Sequence, residues 1–260
     1  AWLWLIDAYV RQGLVGSVTR DEVVRLQDEA IDKVVSLAPD SPEASFALSY
    51  RAARGSNLSE LERLLREATA LTGSQGVRAR FRYGQFLSSV GRQRDAISAF
   101  EGVNREEPLD VFMRTNLLLP LELAGEFDRA EAAMQDILKM PGGRDGAVLG
   151  TAVSRAMGAR DTVRLRSAIE EASAFPLGGT VDLNSRMLAL LEDPLRGRAE
   201  LRRLLVDPAV QGPYGYSGIL QWAAYIGDNE LALQVLEGFP RQRLSFETWA
   251  WILWRPVLKD

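Results

Sequence analysis

A repeat of 34 residues constrains the fold of this chain more than any other feature. The segments 90–100 (VGRQRDAISAF) and 124–134 (AGEFDRAEAAM) align without a gap at this offset. The residues that match in character are Gly91 with Gly125, Ala96 with Ala130, and Phe100 with Met134. A fixed period of this length indicates small units that stack, because one such unit cannot bury its apolar face alone.

Weaker copies of the pattern lie on both sides of these segments. They supply Gly158, Val163 and Ser167 at an offset of 33, then Gly227, Ala232 and Leu236, and upstream Gly55 with Leu64. The match is good over residues 77–141, fair over 213–240 and divergent over 142–210. We therefore expect one cooperative array that forms a single domain over residues 1–260.

Each repeat has the pattern of two helices joined at a glycine. Apolar residues recur at helical spacing before and after Gly91. Those before it are Ala79, Tyr83, Leu87 and Val90, and those after it are Ala96, Ile97, Phe100 and Val103. We expect Gly91 to end the first helix in a left-handed conformation and Gly84 to allow close helix approach. Pro108 then opens the next connection.

The pattern predicts an all-α fold. The expected helix pairs lie near 1–37, 42–71, 76–104, 109–139, 145–173, 181–206 and 213–239, followed by a capping helix at 245–255. The helix-start signals are Thr19 with Glu22, Ser59 with Glu62, Ser41 before Pro42, and Asp193 before Pro194. Pro120 falls inside a predicted helix, where it removes a backbone hydrogen bond, so we expect a kink or a restart there.

The repeat resembles the tetratricopeptide repeat, which has a small residue in its first helix, a glycine at the turn, and an alanine with a bulky apolar residue in its second helix. The residues that carry the resemblance are Gly84, Gly91, Ala96, Phe100, Pro108, Gly125, Ala130, Met134, Gly227 and Ala232. The resemblance implies a right-handed superhelical solenoid of antiparallel helix pairs, about seven in number. It also implies that the first helix of each pair lines a concave binding surface.

A wider resemblance extends to the ends of the chain. The stretches IDAYVRQGLV, LAPDSPEA and WAWILWRPVLKD resemble the repeat-bearing tails of bacterial winged-helix transcriptional activators and nucleotide cyclases. This implies a sensory or partner-binding module with an effector domain N-terminal to it. Because the chain begins inside an apolar pattern, we expect it to be part of a longer protein. It would be cytoplasmic, or periplasmic if a membrane-spanning helix precedes it.

Composition argues against several kinds of site. The chain has 31 basic and 35 acidic residues and a net charge of -4, which argues against nucleic acid as a partner, because neutralising phosphates needs a basic face. It contains no cysteine and no histidine, which excludes disulfides, the usual zinc sites and histidine-assisted serine nucleophiles. The most apolar stretch, residues 1–10, is about half the length that spans a bilayer, so we expect no membrane insertion.

The remaining candidates for chemistry are weak. The acidic pairs Glu106–Glu107 and Glu170–Glu171 point apart on a helix and are interpreted as solvated surface. The glycine-rich stretches at 141–150 and 176–180 lack phosphate-loop spacing, and Ser217 lacks a nucleophile elbow and a base. We therefore expect a non-catalytic chain with no cofactor and no metal.

Binding of a protein or peptide is the leading hypothesis. In register with the matched repeats, the residues that lie on first helices outside the packing stripe are Arg78, Phe81, Arg82, Gln85, Ser88, Phe112, Thr115, Asn116, Glu122, Tyr214, Gln221 and Tyr225. Arg78, Arg82 and Asn116 together could hold a peptide carboxylate by charge-assisted hydrogen bonds. The alternative is that these arginines are solvated or pair with neighbouring acids.

Two other hypotheses remain open. Tryptophans cluster at the ends of the chain, at Trp2 and Trp4 and then at Trp222, Trp249, Trp251 and Trp254, where they cap the core or dock on other domains or a second copy. The array would then be a self-association scaffold and a homo-oligomer. Alternatively, the glycine-rich region 142–180 binds a small molecule and makes the chain a sensor.

Overall fold

The computed structural model describes residues 1–14, 19–55, 57–173, 183, 186, 188, 191, 193–207, 213–238 and 256–258. Throughout these residues the regular secondary structure is helical and no strand occurs, so the predicted all-α fold is confirmed. The described residues form two compact units, one from Ala1 to Pro108 and one from Leu109 onward. No helix in the described part is long and apolar enough to cross a bilayer.

Unit 1 is built from six helices in its described part, and neighbours along the chain pack against one another. They are α1 (Trp2–Leu14), α2 (Arg20–Leu37), α3 (Pro42–Ala52), α4 (Leu58–Ala68), α5 (Gly73–Ser89) and α6 (Gln93–Glu106). These agree with the first three predicted helix pairs to within a few residues. The close approach predicted at Gly84 is present, since a Cβ atom there would lie 2.9 Å from the ring of Phe100.

Side-chain caps start α2, α3 and α4, and the sequence predicts two of these three capping residues. The Thr19 hydroxyl accepts a hydrogen bond from the Glu22 N–H, and the Ser41 hydroxyl accepts one from Ala44 at 3.1 Å. At α4 the prediction of Ser59 was wrong by two residues. Asn57 is the capping residue there, and its side chain accepts from the Glu60 N–H at 3.1 Å.

Unit 2 contains the remaining described helices. They are α7 (Val111–Thr115), α8 (Leu118–Leu123), α9 (Phe127–Leu138), α10 (Gly146–Gly158), α11 (Thr162–Ser173), α12 (Pro194–Leu205), α13 (Pro213–Tyr225) and α14 (Asn229–Gly238), followed by a 3₁₀ turn at Pro256–Leu258. Asp193 caps α12 as predicted and accepts hydrogen bonds from two backbone N–H groups. The predicted capping helix at 245–255 lies outside the described residues.

The helix restart predicted at Pro120 is confirmed. The first helix of this pair is divided into α7 and α8, and Pro120 is the third residue of α8. Its nitrogen has no hydrogen to donate, so a continuous helix would lose a bond at this point. The chain instead turns at Asn116 and Leu117, and Leu121 donates to the Leu117 carbonyl at 3.3 Å.

Left-handed residues follow α5, α8, α10 and α13, whereas Gly55 after α3 is not left-handed, and they correct one predicted alignment. Gly91, Gly125 and Gly227 have φ values of 83°, 82° and 69°, as expected for a glycine after a helix. In the divergent repeat the residue in this position is Arg160, with φ 55°, and not the predicted Gly158, which is the last residue of α10. The predicted register at offset 33 was therefore wrong by two residues.

The second helices share a packing register that this correction reveals. In most of them, the fourth and eighth residues after the capping residue are buried. These pairs are Val23 and Gln27, Leu61 and Leu65, Ala96 and Phe100, Ala130 and Met134, Leu165 and Ile169, and Gly197 and Leu201. Val163, predicted to pack in this register, is instead 81% exposed.

The last pair departs from this register by one residue. In α14 the fully buried residues are Leu231 and Val235, and the predicted packing residue Ala232 is only half-buried. Asp228 still caps the helix and accepts from the Leu231 N–H at 3.1 Å. The residues after the cap have therefore rotated relative to the core, while the cap itself is kept.

Candidate functional site

Five side chains from three first helices of unit 1 meet in one cluster. Trp4 and Asp7 come from α1, Tyr50 from α3, and Arg78 and Arg82 from α5. We call this group the arginine–aromatic cluster. The two residues of α1 are three positions apart and the two arginines are four apart, so each pair lies on one face of its helix. Helical spacing therefore aligns the residues of each pair, and contacts between α1, α3 and α5 bring the pairs together.

Each arginine of the cluster lies over an aromatic ring. The guanidinium carbon of Arg78 is 4.0 Å from the centre of the Trp4 ring, and that of Arg82 is 3.7 Å from the centre of the Tyr50 ring. Stacking of this kind attracts the cation to the ring face and leaves its N–H groups, which lie in the guanidinium plane, directed sideways. The ring of Tyr50 is itself fixed by an edge-on contact with Phe46 at 5.5 Å between ring centres.

Asp7 is the carboxylate of the cluster. It forms an ion pair with Arg78 and accepts a hydrogen bond from the Tyr50 hydroxyl. The side chains of Arg78 and Asp7 are only 13% and 16% exposed, so water screens their charges weakly.

Arg78 retains donor capacity in spite of this pairing. Its Nη1 atom is buried and has no hydrogen-bond partner within the described part of the chain. Burial, together with the positive charge of Arg82, lowers the pKa of Arg78 to about 10, so the side chain is still a cation at neutral pH. A buried N–H group without an acceptor is unfavourable and would be satisfied by an added anion.

The other residues of α5 predicted to bind a ligand have different surroundings. Phe81 is 6% exposed and packs against Phe100, with 5.6 Å between ring centres, so its surface is used within the core. Gln85 is half-buried. Ser88 donates from its hydroxyl to the side-chain oxygen of Gln93 at 3.1 Å, which joins the end of α5 to the start of α6.

In unit 2, the predicted residues of α7 and α8 are divided between surface and core. Phe112 is exposed on α7, and the Asn116 amide donates to the Phe112 carbonyl at 2.8 Å at the end of that helix. Thr115 donates from its hydroxyl to the Val111 carbonyl at 2.7 Å. Asn116 therefore serves its own helix end and belongs to a different unit from the two arginines with which it was grouped.

Glu122 belongs to an ion-pair network inside unit 2. Its carboxylate pairs with Arg155 of α10, and both side chains are largely buried. Arg155 also reaches Glu131 of α9 at 3.2 Å. One arginine thus joins three helices, and Glu122 is held by this contact.

The predicted residues of α13 contact α10 and its following turn. The Gln221 amide is buried, accepts from the Ser154 hydroxyl at 2.7 Å, and donates to the Ser217 carbonyl and hydroxyl at 3.2 and 3.1 Å. Arg160 donates to the Tyr225 carbonyl at 2.6 Å and lies 5.4 Å from its ring centre. The side chain of Tyr214 lies outside the described residues.

Ser217 and the glycine-rich stretch before α10, the other candidates for chemistry, also have hydrogen-bond partners within the chain. Ser217 is buried, and its hydroxyl accepts the hydrogen bond from Gln221. At the glycine-rich start of α10, the Asp145 carboxylate accepts from the Val148 N–H at 2.9 Å and fills the position where a phosphate would bind. A shallow depression lies nearby, lined by Met140, Gly142, Arg144 and Asp145.

Metal donors do not gather in the described residues, where no group of three or more acidic side chains could hold an ion. The predictions of no catalysis and no cofactor concern properties that the geometry does not test, and they stay predictions.

Sequence reasoning missed three members of the arginine–aromatic cluster. Trp4, Asp7 and Tyr50 lie outside residues 77–141, where the repeat matches well. One signal was available, because Asp7 is the only charged residue among the first ten of the chain. A lone charge in an apolar helix requires a partner, and Arg78 is that partner.

No family model matches the chain, and a search of curated proteins found no match.

Proposed function

We propose that this chain is a tetratricopeptide-type module that binds a protein or peptide without catalysing a reaction. We also propose that its helix pairs, about seven in number, stack as a right-handed superhelical solenoid. The shared packing register of the second helices supports a common repeat. The similarity of the ends to bacterial signalling tails supports a role in regulating the effector domain of a longer signalling or transcription-regulating protein.

The arginine–aromatic cluster is the observation that carries the binding proposal. Arg78 and Arg82 stand side by side on α5, each stacked on a ring of another first helix. Together they supply two guanidinium groups, and Nη1 of Arg78 is an N–H donor without an acceptor in the described part of the chain. Guanidinium groups held in this way suit a carboxylate, which accepts two parallel N–H bonds.

The exposed tryptophan extends this surface. Trp4 is 51% exposed, and its neighbours Trp2 and Leu5 are also exposed on α1. A ligand whose carboxylate is bound by the arginines could place an apolar side chain on these residues. We therefore propose a peptide that carries a carboxylate beside an apolar residue.

An array of 12-residue peptides tests this function. Each peptide is made with a free C-terminal carboxylate and again as the amide, with acidic residues varied along it. We expect saturable binding, measured by fluorescence anisotropy, that weakens about tenfold or more in Arg78→Gln and Arg82→Gln. Arg63→Gln on α4 is the matched control, because its ion pairs with Glu60 and Glu67 are exposed and lie on a second helix.

Two outcomes would refute the proposal. One is an array in which no peptide binds the folded wild-type chain. The other is equal peptide affinity in Arg78→Gln, Arg82→Gln and the control Arg63→Gln. Helix content and melting temperature are checked for each variant.

Self-association is a second candidate function, and the exposed residues of α1 favour it. Trp2, Trp4 and Leu5 are large apolar residues exposed on α1, and residues of this kind are common at interfaces. Sedimentation equilibrium of the chain at high concentration decides this case. A dimer that Trp4→Ala disrupts would support it, and a monomer throughout would remove it.

A further inference from the structure

We infer that Asp7 is an internal competitor for the carboxylate subsite at Arg78, so that a ligand carboxylate binds there by displacing the Asp7 side chain. The inference rests on the proposed function, and it adds how that site is regulated. The observation behind it is that the chain already holds a carboxylate of its own against Arg78.

The surroundings of Asp7 form a built carboxylate site. A hydroxyl from α3 and a guanidinium from α5 both direct donors at a carboxylate from α1. The site is largely closed to water, since the Asp7 side chain is 16% exposed. The same donors would serve the carboxylate of a peptide equally well, because neither depends on which chain supplies the oxygens.

Asp7 satisfies this site incompletely. The Nη1 atom of Arg78 stays without an acceptor in the described part of the chain while Asp7 is in place. A carboxylate on a short side chain, fixed to α1, cannot reach every donor of a planar guanidinium. A ligand carboxylate that accepts from Nη1 would satisfy the donor that Asp7 leaves without an acceptor, which gives the ligand an advantage over Asp7.

Release of Asp7 requires breaking two side-chain contacts, the ion pair with Arg78 and the hydrogen bond from Tyr50. Asp7 is held by side-chain contacts to other helices, and rotation about its own side-chain bonds releases the carboxylate. The cost of that release lowers the affinity of any anionic ligand. Asp7 therefore sets a threshold, so that only a ligand with further contacts, such as an apolar residue on Trp4, binds well.

Chemical rescue tests the inference without any peptide. Asp7→Ala removes the internal carboxylate, and formate is small enough to take its place. We expect Asp7→Ala to melt at a lower temperature than wild type, and formate to raise its melting temperature by at least about 2 °C more than it raises that of wild type. Chloride at equal ionic strength should not do so, and the rescue should vanish in Asp7→Ala/Arg78→Gln.

Asp32→Ala is the matched control for formate rescue. Asp32 also pairs with an arginine, Arg51 at 2.7 Å, but its side chain is exposed. Formate should therefore raise the melting temperature of Asp32→Ala by no more than it raises that of the wild-type chain. Equal effects of formate on Asp7→Ala, Asp32→Ala and wild type would overturn the inference.

A second variant keeps the test decisive if Asp7→Ala does not fold. Asp7→Asn retains the oxygen that accepts from Tyr50 but loses the negative charge. We expect it to bind carboxylate-bearing peptides about tenfold more tightly than wild type. Equal or weaker affinity would overturn the inference and leave the proposed function standing. Formate rescue without any peptide binding to wild type or Asp7→Asn would support the subsite and refute the proposed function.

Discussion

In unit 1, first helices are joined by two arginines, one carboxylate and two aromatic rings, whereas in unit 2 α10 and α13 meet through neutral hydroxyl and amide groups. The neutral network is complete, since the Gln221 amide has partners at both its oxygen and its nitrogen. The charged cluster is incomplete, since a nitrogen of Arg78 lacks an acceptor in the described chain.

This difference indicates which of the two groups of residues a bound ligand would stabilise. A saturated network, such as that of Ser154, Gln221 and Ser217, stabilises the contact between two helices and offers no donor to a partner. A cluster in which a buried N–H group lacks an acceptor is stabilised further when an anion binds to that group. We therefore place the binding surface on unit 1 and assign an architectural role to the equivalent residues of unit 2.

The largest expected effect comes from removing the cation of unit 1. Arg78→Met leaves Asp7 partly buried without its counter-ion, and we expect the free energy of unfolding to fall by about 3 kcal/mol. Arg63→Met is the control and should cost less than about 1 kcal/mol, because its ion pairs are exposed. Urea denaturation measures both, and equal costs would show that the cluster is not a buried charge network.

The neutral network of unit 2 should give a smaller effect that salt does not change. Gln221→Met leaves two buried hydroxyls with fewer partners and should cost about 2 kcal/mol. Adding Ser154→Ala should recover part of this loss, since both polar partners are then replaced. If the double variant is instead less stable than the sum of the single variants predicts, the two residues are not coupled as their 2.7 Å contact indicates.

Arg160 offers a test of a different contact in unit 2. Its left-handed backbone is strained, while its side chain binds Tyr225. Arg160→Ala keeps the backbone strain and loses the contact with Tyr225, so we expect the free energy of unfolding to fall by about 2 kcal/mol. Arg160→Gly removes both the strain and the contact, so we expect a fall of about 1 kcal/mol. Thermal denaturation compares the two variants. A glycine variant less stable than the alanine variant would exclude strain at this position.

The smallest effect is expected from a surface ion pair of unit 2. Hydrogen bonding to Arg203, and then to Arg186, lowers the pKa of Glu200 from its usual 4.5 to about 2. This stabilisation is present above about pH 4.5 and is lost as the pH falls toward 2. Because its first partner, Arg203, is 56% exposed and solvent screens the pair, we expect Glu200→Gln to lower the free energy of unfolding by less than about 1 kcal/mol at pH 7. The gap between wild type and variant should close across that pH window, and a constant gap would contradict the assignment.

Most of the fold follows from local signals in the sequence. The glycines that end helices, the caps at Thr19, Ser41 and Asp193, and the restart at Pro120 each depend on a few neighbouring residues. The divergent repeat was misaligned because Arg160 occupies a position that glycine usually takes. The side chain of Arg160 contacts Tyr225, which is 65 residues away, and a local pattern does not show this contact.

The candidate site was predicted less completely than the fold. Arg78 and Arg82 follow from the repeat register, but Phe81 lies in the core because Phe100 of the next helix packs against it. Whether a side chain between two helices faces a groove or a neighbour depends on the helix crossing, which spacing along one helix does not determine. Trp4 and Tyr50 were missed for the same reason, since their role exists only when three helices meet.

Hydrogen exchange with a bound peptide tests the central claim most directly. The probe is a peptide from the array that binds through its free carboxylate, and mass spectrometry locates the protected amides. We predict new protection in α1, α3 and α5, which is lost in Arg78→Gln, and little change in α10 and α13. Protection confined to α10 and α13, or unchanged by Arg78→Gln, would contradict the assignment of binding to unit 1.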